Sequence, residues 1–306
     1  MTKPVFITGA TGFMGAAVVR ALRACAVPVA VLLRDPSKPG RLQDLSDMTV
    51  VKGDLEDAAS YRDALMQLAP DTVLHLAWAG VAGAERNDPM QYENVFAART
   101  LLEIAIAAGV SHFIGFGSQA EYGPHAGRLR EDTDTHPTTL YGTAKLATYL
   151  MCERRCALAG VPFTWVRVFS TFGPGDDPNT MVSYLVRTLL ARQRPRLTAA
   201  EQLWDYLFVD DAGEAIAALV NKRAAGTFNL GSGKATRLRE IITTIRDLVD
   251  PGLPLGFGEI PYRPDQVMHL ESDIGALQQA TGWSPRHNLR DGLSRTVEDA
   301  KQREIK

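Results

Sequence analysis

Cysteine is scarce: the chain of 306 residues has three, Cys25, Cys152 and Cys156. An odd count in a long chain excludes a disulfide framework as its organising device. Cys152 and Cys156 stand four apart on an expected helix and share a face. No His or Cys lies near them at ligand spacing, so they are expected to be small packing residues, and no metal site is expected. Long apolar runs are also missing, and nothing approaches the roughly 18 residues of a membrane helix. The N-terminal stretch MTKPVFITGATG has no signal-peptide core, which points to the cytoplasm. Charge of one sign is lacking too. A net charge of −2 argues against a nucleic-acid partner. With 45% hydrophobic and 22% charged residues, the composition is that of a folded globular chain.

What is present is alternation. VFIT (5–8), VAVLLR (29–34), TVVKGD (49–54), TVLHLA (72–77), HFIGFGS (112–118) and FTWVRVF (163–169) are short apolar runs separated by helical patterns, among them 57–68, 92–108 and 141–159. Strands alternating with helices imply βαβ units and a parallel sheet covered on both faces. The expected fold is α/β, a Rossmann-type doubly wound parallel sheet over 1–171 that takes in part of 204–232. After Phe169 the pattern breaks, with a helix over 181–193 and a Gly/Pro-rich loop, GLPLGFGEIPYRPDQ. A smaller, discontinuous C-terminal substrate domain is expected over 172–306.

The first strand runs into Thr8-Gly9-Ala10-Thr11-Gly12-Phe13-Met14-Gly15. Gly9 allows a tight turn, Gly12 lets the backbone approach a pyrophosphate, and Gly15 permits close helix–strand packing. The helix N-terminus beyond offers free N–H groups to the anion. At the end of the second strand, a carboxylate would bind the ribose 2′-hydroxyl of NAD and an arginine the 2′-phosphate of NADP. The sequence there is Leu33-Arg34-Asp35. Arg34 favours NADP(H); Asp35, one position on, keeps NAD open, and Arg34 as an ordinary surface residue is the other alternative.

Tyr141 and Lys145 form YxxxK on a helix, one turn apart on one face. A nearby ammonium favours the phenolate and would bring the tyrosine toward a working range. Ser118 lies upstream at a strand's carboxyl end, where ligands bind in such sheets. His75, inside an apolar strand, is expected to be packed core; Trp78 is expected either to wall the site or to pack.

GATGFMG, GDL, HLAWAG, the Asn94 helix, GSQAEYG, YGTAK and WDYLFVDD occur in the order seen in extended short-chain dehydrogenase/reductases, the NAD-dependent epimerase/dehydratase family, and the chain resembles that family over 3–270. The resemblance implies that Tyr141 is the proton donor or acceptor, Ser118 binds the reacting oxygen, and Lys145 holds the nicotinamide ribose. It makes Asn94 a structural or relay residue. It also places Thr11, Phe13, Met14, Asp54, Leu55, Leu76, Ala77 and Phe169 at the cofactor. Family dehydratases carry an Asp-Glu pair directly after the catalytic Ser or Thr; here Gln119 and Ala120 cannot titrate, which argues against dehydration. Glu121 is one residue displaced and in an extended segment would face the other way. Gln119 could instead bond a sugar hydroxyl. Arg263, in Tyr262-Arg263-Pro264-Asp265, matches a diphosphate-binding arginine. Ser170 and Trp204 replace a usual Asn and Arg.

The phrasing is most similar to nucleotide-sugar 4-ketoreductases of the CDP-abequose synthase type. That implies an NADPH-dependent reductase of a nucleotide-activated 4-keto-6-deoxyhexose, with a 4-epimerase retaining NAD as the alternative. A non-catalytic dinucleotide sensor is the third; sensors usually lose YxxxK, which this chain keeps. Helices 94–108 and 141–159 carry apolar residues around more than one face and must be covered on several sides. In relatives they pair with their copies, so a homodimer is expected.

Overall fold

The structure is a computed structural model that describes residues 3–304 apart from 43, 264 and 265. VFIT forms β1 (Val5–Thr8), buried along its length as a strand covered on both faces must be. The alternation continues through α1 (Phe13–Ala24), β2 (Val29–Leu33), β3 (Thr49–Lys52), α2 (Arg62–Leu68), β4 (Thr72–His75), α3 (Gln91–Ala107) and β5 (His112–Ser118). A short β6 (Arg128–Leu129) precedes α4 (Leu140–Ala159) and β7 (Phe163–Val168). Next come β8 (Ser170–Phe172), α5 (Met181–Leu190), β9 (Leu203–Phe208), α6 (Val209–Lys222) and β10 (Gly226–Leu230).

The main sheet runs β10-β7-β5-β4-β1-β2-β3, and every pairing in it is parallel. This is a doubly wound, Rossmann-type α/β fold. The strand order reverses between β1 and β4, so a crevice opens at their carboxyl ends. β10 returns to this sheet from late in the chain. The remaining elements, β11 (Ala235–Arg237), α7 (Leu238–Val249), β12 (His269–Ser272), α8 (Gly275–Thr281) and α9 (Leu289–Glu304), complete the described chain. A second sheet runs β11-β9-β12-β6, with β8 beside β9. Helices α5, α7 and α9 enclose a separate apolar core that includes Leu185, Leu189, Ile241, Ile245 and Leu293. Among the described residues no helix is long and apolar enough to cross a membrane.

The expected helix over 57–68 is interrupted. Asp57 accepts a bond from Ala59 N and Ser60 Oγ donates to the Asp57 carbonyl, tightening 58–60 into a 3-10 turn before α2 begins at Arg62. The side chain of Asp57 competes with helical bonding, as short polar side chains do. Cys152 and Cys156 pack in the core beside Leu101 and Leu102, and burial pushes both thiols up to about 12.

Asp205, fully buried on β9, joins the two sheets. It accepts from Ser232 N and Oγ and from Gly233 N just beyond β10, and from Ser272 N and Oγ at the end of β12. Each buried donor left without a partner costs about 1–3 kcal/mol. Asp205→Ala is therefore expected to lower unfolding free energy by more than about 3 kcal/mol in a denaturant titration. A loss below about 1 kcal/mol would show that the donors find water or other partners.

Candidate active site

The crevice at the switch point is a cavity of about 530 Å³. One wall is the glycine turn, with Thr8, Gly9, Thr11 and Gly12 lining it. Gly9 has φ +75, and a Cβ there would meet Ala77 N at 2.6 Å. A Cβ on Gly15 would run into the Gly9 carbonyl, so this glycine lets α1 start directly against the turn. Gly12 caps the N-terminus of α1 with no side chain of its own, leaving that end open to an anion. Leu33, Arg34, Asp35 and Lys38 follow at the end of β2, then Asp54 and Leu55, then Leu76, Ala77 and Trp78 beyond β4. This backbone-lined cradle fits a dinucleotide, with the diphosphate at Gly12 and the adenosine end toward β2.

The other residues assigned to the cofactor from sequence lie off this lining. Met14 packs on the core under β1 and Gly15 is buried at the turn. Phe13 opens α1, half-buried. Phe169 is buried against Tyr122, ring centroids 6.3 Å apart. Asp35 is engaged by its own turn: Ser37 N and Oγ both donate to its carboxylate, which holds it below the usual range. Arg34 is exposed at the rim.

Ser118 ends β5 and Tyr141 and Lys145 lie on the first two turns of α4; all three are buried. The Thr139 side chain caps α4 by accepting from Gly142 N. Lys145 Nζ donates to the Phe116 carbonyl at 2.6 Å and stands 3.6 Å from the centre of the Trp78 ring. Trp78 meets Tyr141 edge-on at 6.3 Å. The indole therefore walls the site and carries the ammonium on its face. Its Nε1 donates to Gln91 Oε1.

The expectation that Lys145 brings the phenol down does not describe this geometry. Burial dominates and pushes Tyr141 up; the Ser118 hydroxyl and the Arg86 guanidinium oppose it. Burial also takes Lys145 down to about 7, with the Glu121 carboxylate opposing. His75 is core, as expected. Its Nδ1 lies 2.8 Å from Thr8 Oγ1, and burial, then Lys145, hold it at about 3, neutral at physiological pH.

Glu121 also differs from expectation. Residues 119–121 are not extended; they form a 3-10 turn capped by Ser118, whose Oγ accepts from Ala120 N while Glu121 Oε1 accepts from Ser118 N. Both capping bonds need the turn, which swings Glu121 inward to full burial. Gln119 stays half-buried beside Ser118.

Asn94 fixes the loop after β4 by bonding Ala79 N and O. Ser170 Oγ accepts from Trp204 Nε1 at 2.8 Å, so the two unusual residues touch each other. Arg263 is exposed, and Pro264 and Asp265 of its turn lie outside the described residues. Three residues at the site carried no readable signal. Lys38 lines the adenosine end. Gln91, fully buried, donates to the carbonyls of Gly80 and Glu85. Arg86, on the turn so anchored, lies 4.9 Å over the Tyr141 ring. Arg167 did carry one: a charge inside the apolar run FTWVRVF requires a buried partner.

A glycine-turn dinucleotide cradle at the switch point of a doubly wound sheet, with a Ser-Tyr-Lys cluster beside it, defines a nicotinamide-dinucleotide oxidoreductase. The model of the NAD dependent epimerase/dehydratase family matches residues 5–231, and the chain belongs to that family. It is 26% identical to a UDP-glucose 4-epimerase of Azospirillum brasilense, covering 96% of this chain and 90% of that one. It is 25% identical to a dTDP-glucose 4,6-dehydratase of Salmonella typhimurium, covering 96% and 91%. The crystal structure of Thermus thermophilus UDP-glucose 4-epimerase in complex with NAD superposes with a TM-score of 0.86 over 97% of this chain and 99% of that one. At 24% identity that likeness speaks to the fold.

Lys145 has a consequence for stability. Its pKa is about 7 when folded against an ordinary 10.5 for a lysine in water, so between these the unfolded chain binds the extra proton. Stability then rises with pH through this window, and the cost of the buried ammonium is largest below it. From pH 7 to 10 the unfolding free energy of wild type is expected to climb more steeply than that of Lys145→Met, by up to ~1.4 kcal/mol per pH unit. Parallel curves from denaturant titrations would contradict this.

Proposed function

We propose that the protein moves hydride to and from C4 of a nucleotide-diphosphate sugar, with Ser118, Tyr141 and Lys145 as its catalytic residues. The observation that carries this is their convergence, at the carboxyl ends of β5 and the start of α4, beside the dinucleotide cradle. The leading reading is a nucleotide-sugar 4-epimerase that retains NAD, in keeping with the relatives named above. A dinucleotide held by Gly9, Thr11, Gly12, Leu76 and Ala77 would supply the hydride acceptor and donor for C4. The chain's own part is proton transfer. In its phenolate form, which the Ser118 hydroxyl and the Arg86 guanidinium favour against burial, Tyr141 takes the C4 hydroxyl proton as the ketone forms, and the resulting phenol gives it back when the ketone is reduced. Ser118 Oγ accepts from Ala120 N, which leaves its O–H to donate toward the Tyr141 oxygen and the sugar oxygen beside it. Lys145 orients the ribose. Gln119 and Ala120 cannot serve as the acid and base of a dehydration. Residues from 172 onward, with Arg263 and Ser170, receive the nucleotide diphosphate.

A second reading is favoured by a specific observation. Arg34 and Lys38 line the adenosine end while Asp35 is engaged by Ser37. Two cations there suit a 2′-phosphate, hence NADPH and a net 4-ketoreductase of the CDP-abequose synthase type. Burial keeps the proton on Tyr141 near neutrality, which suits reduction of a ketone. The purified protein is expected to release stoichiometric NAD on acid denaturation, and the native protein to interconvert C4-epimeric nucleotide sugars without consuming NADPH. NADPH consumption on a nucleotide 4-keto-6-deoxysugar would establish the second reading. In that case Arg34→Ala should raise the KM for NADPH far more than that for NADH.

Under either reading Tyr141→Phe is expected to lower kcat about 10²–10⁴-fold with cofactor retention nearly unchanged. Near-wild-type turnover on the correct sugar would remove Tyr141 from the chemistry.

We further propose a homodimer. Tyr92 and Phe96 on α3, and Leu150, Met151 and Leu158 on α4, are large apolar side chains left exposed. The two helices pack together and are joined by a bidentate Arg155–Glu103 pair. A second copy presenting the same helices covers this face. Light scattering at micromolar concentration is expected to give twice the 33.3 kDa chain mass; the monomer mass would refute the proposal.

A further inference from the structure

Glu121 and Arg167 form an ion pair sealed from water: Oε2 accepts from Arg167 Nε at 2.9 Å, and the side chains are 0% and 4% exposed. The carboxylate has two further donors, Trp165 Nε1 at 3.1 Å and Ser118 N at 2.8 Å. Arg167 Nη1 donates onward to the Tyr122 hydroxyl and the Glu131 carbonyl. Tyr122 in turn donates to Asn229 Oδ1. Room for this cluster is made in β5. A Cβ on Gly117 would strike both the Glu121 carboxylate and the Trp165 indole, and one on Gly115 would strike the Trp165 ring. The interior is thus shaped around a charge, and one of the groups that charge holds is the backbone of Ser118.

We propose that Glu121 is a positioning residue for the Ser118–Tyr141–Lys145 site: its carboxylate locks the turn that aims the Ser118 hydroxyl and supplies the fixed negative charge facing Lys145 and Tyr141. This rests on the reading of Tyr141 as the proton-transfer group. The Ser118 N–H to Glu121 bond and the Ala120 N–H to Ser118 Oγ bond close the same turn, so loss of the first loosens the second. Burial pushes the Glu121 carboxyl up, and the Arg167 guanidinium, with the Ser118 and Trp165 N–H groups, opposes this and holds the charge. The carboxylate opposes the desolvation that lowers Lys145, and raises Tyr141. The other charged or titratable groups around them are His75 from β4, Arg86 from the turn before α3, Arg167 from β7, Tyr122 and Glu131 before α4, and Tyr149 on α4. Among these, His75 is neutral and Arg86 and Arg167 are cations, so Glu121 is the acidic group acting on both Lys145 and Tyr141.

Two variants test this. Glu121→Gln keeps the shape and removes the charge. The double variant Glu121→Leu with Arg167→Met removes the whole pair, which proteins often tolerate because the apolar replacement avoids desolvating two ions. Circular dichroism checks the fold of each. In protein labelled with ¹³C at lysine Cε, the Lys145 signal is assigned by its loss in Lys145→Met, and its wild-type titration midpoint is expected at about 7. Removing a nearby negative charge destabilises the ammonium, so the midpoint is expected to fall in both variants. With substrate, kcat should drop roughly tenfold or more while KM changes less than about threefold, because Ser118 acts on the reacting oxygen. A folded variant with an unmoved Lys145 midpoint and unchanged kcat overturns the proposal. If Tyr141→Phe is fully active, the reading of Tyr141 fails instead, whatever the Lys145 signal does.

Discussion

The Glu121–Arg167 pair sits where water cannot reach, at the carboxyl ends of β5 and β7, and the packing around it follows from that position. Each ion loses several kcal/mol of hydration on burial, and mutual attraction repays this only when the remaining lone pairs and N–H groups also find partners. The neighbours supply them: the Trp165 indole, the Ser118 amide, the Tyr122 hydroxyl and the Glu131 carbonyl. One of these demands reshapes the sheet. Trp165 must lie flat over β5 to reach the carboxylate, and only glycine at 115 and 117 leaves it space. The pair therefore adds little net stability for its size. Its contribution is geometric, a turn after β5 with one allowed conformation.

The same desolvation governs the neighbouring side chains. Lys145 is inside the protein with no carboxylate in contact; it has one carbonyl at 2.6 Å and the face of Trp78 at 3.6 Å. An indole face attracts the cation but does not replace its lost hydration, so burial still brings Lys145 down to about 7. Tyr141 is in the mirror situation, its phenolate disfavoured by burial and favoured by the Arg86 guanidinium. A lysine lowered toward 7 sits in the working range for proton exchange, whereas the phenol is raised away from it and keeps its proton until a ligand changes the local charge.

Much of this arrangement was legible in the sequence, and the limits have physical causes. Buried parallel strands leave continuous apolar runs, so VFIT and HFIGFGS could be placed to the residue. The Gly9, Gly12 and Gly15 spacing is legible because a backbone approach tolerates no Cβ. The turn at 119–121 was not legible, because a capping box needs Ser and Glu three apart and an extended strand exit accepts the same letters. Arg86 left no periodic trace; it reaches Tyr141 because a fully buried Gln91 pins the carbonyls of Gly80 and Glu85, contacts that depend on the folded loop. The tuning of Tyr141 was assigned to Lys145 on helical spacing alone. That spacing puts two side chains on one face, but the Phe116 carbonyl and Trp78 decide where the ammonium rests.

The two departures from family pattern in the C-terminal half are a single structural feature. Taken separately, Ser170 in place of an Asn and Trp204 in place of an Arg each remove a polar contact expected of the diphosphate pocket. In the fold β8 lies beside β9, and Trp204 Nε1 donates to Ser170 Oγ at 2.8 Å. The indole satisfies its one donor there and lays its ring against the apolar cluster of Tyr122, Leu129, Phe169 and Leu270. Restoring the arginine alone would bring a charge beside that cluster and take away the Ser170 donor. Restoring the asparagine alone would crowd the indole. The two positions are therefore coupled, and on the nucleotide-sugar reading they trade a cationic contact for an aromatic wall that leaves the Ser170 O–H free as a donor. On the same proposal, recognition of the diphosphate falls to groups elsewhere in the loops after β9, Arg263 first among them.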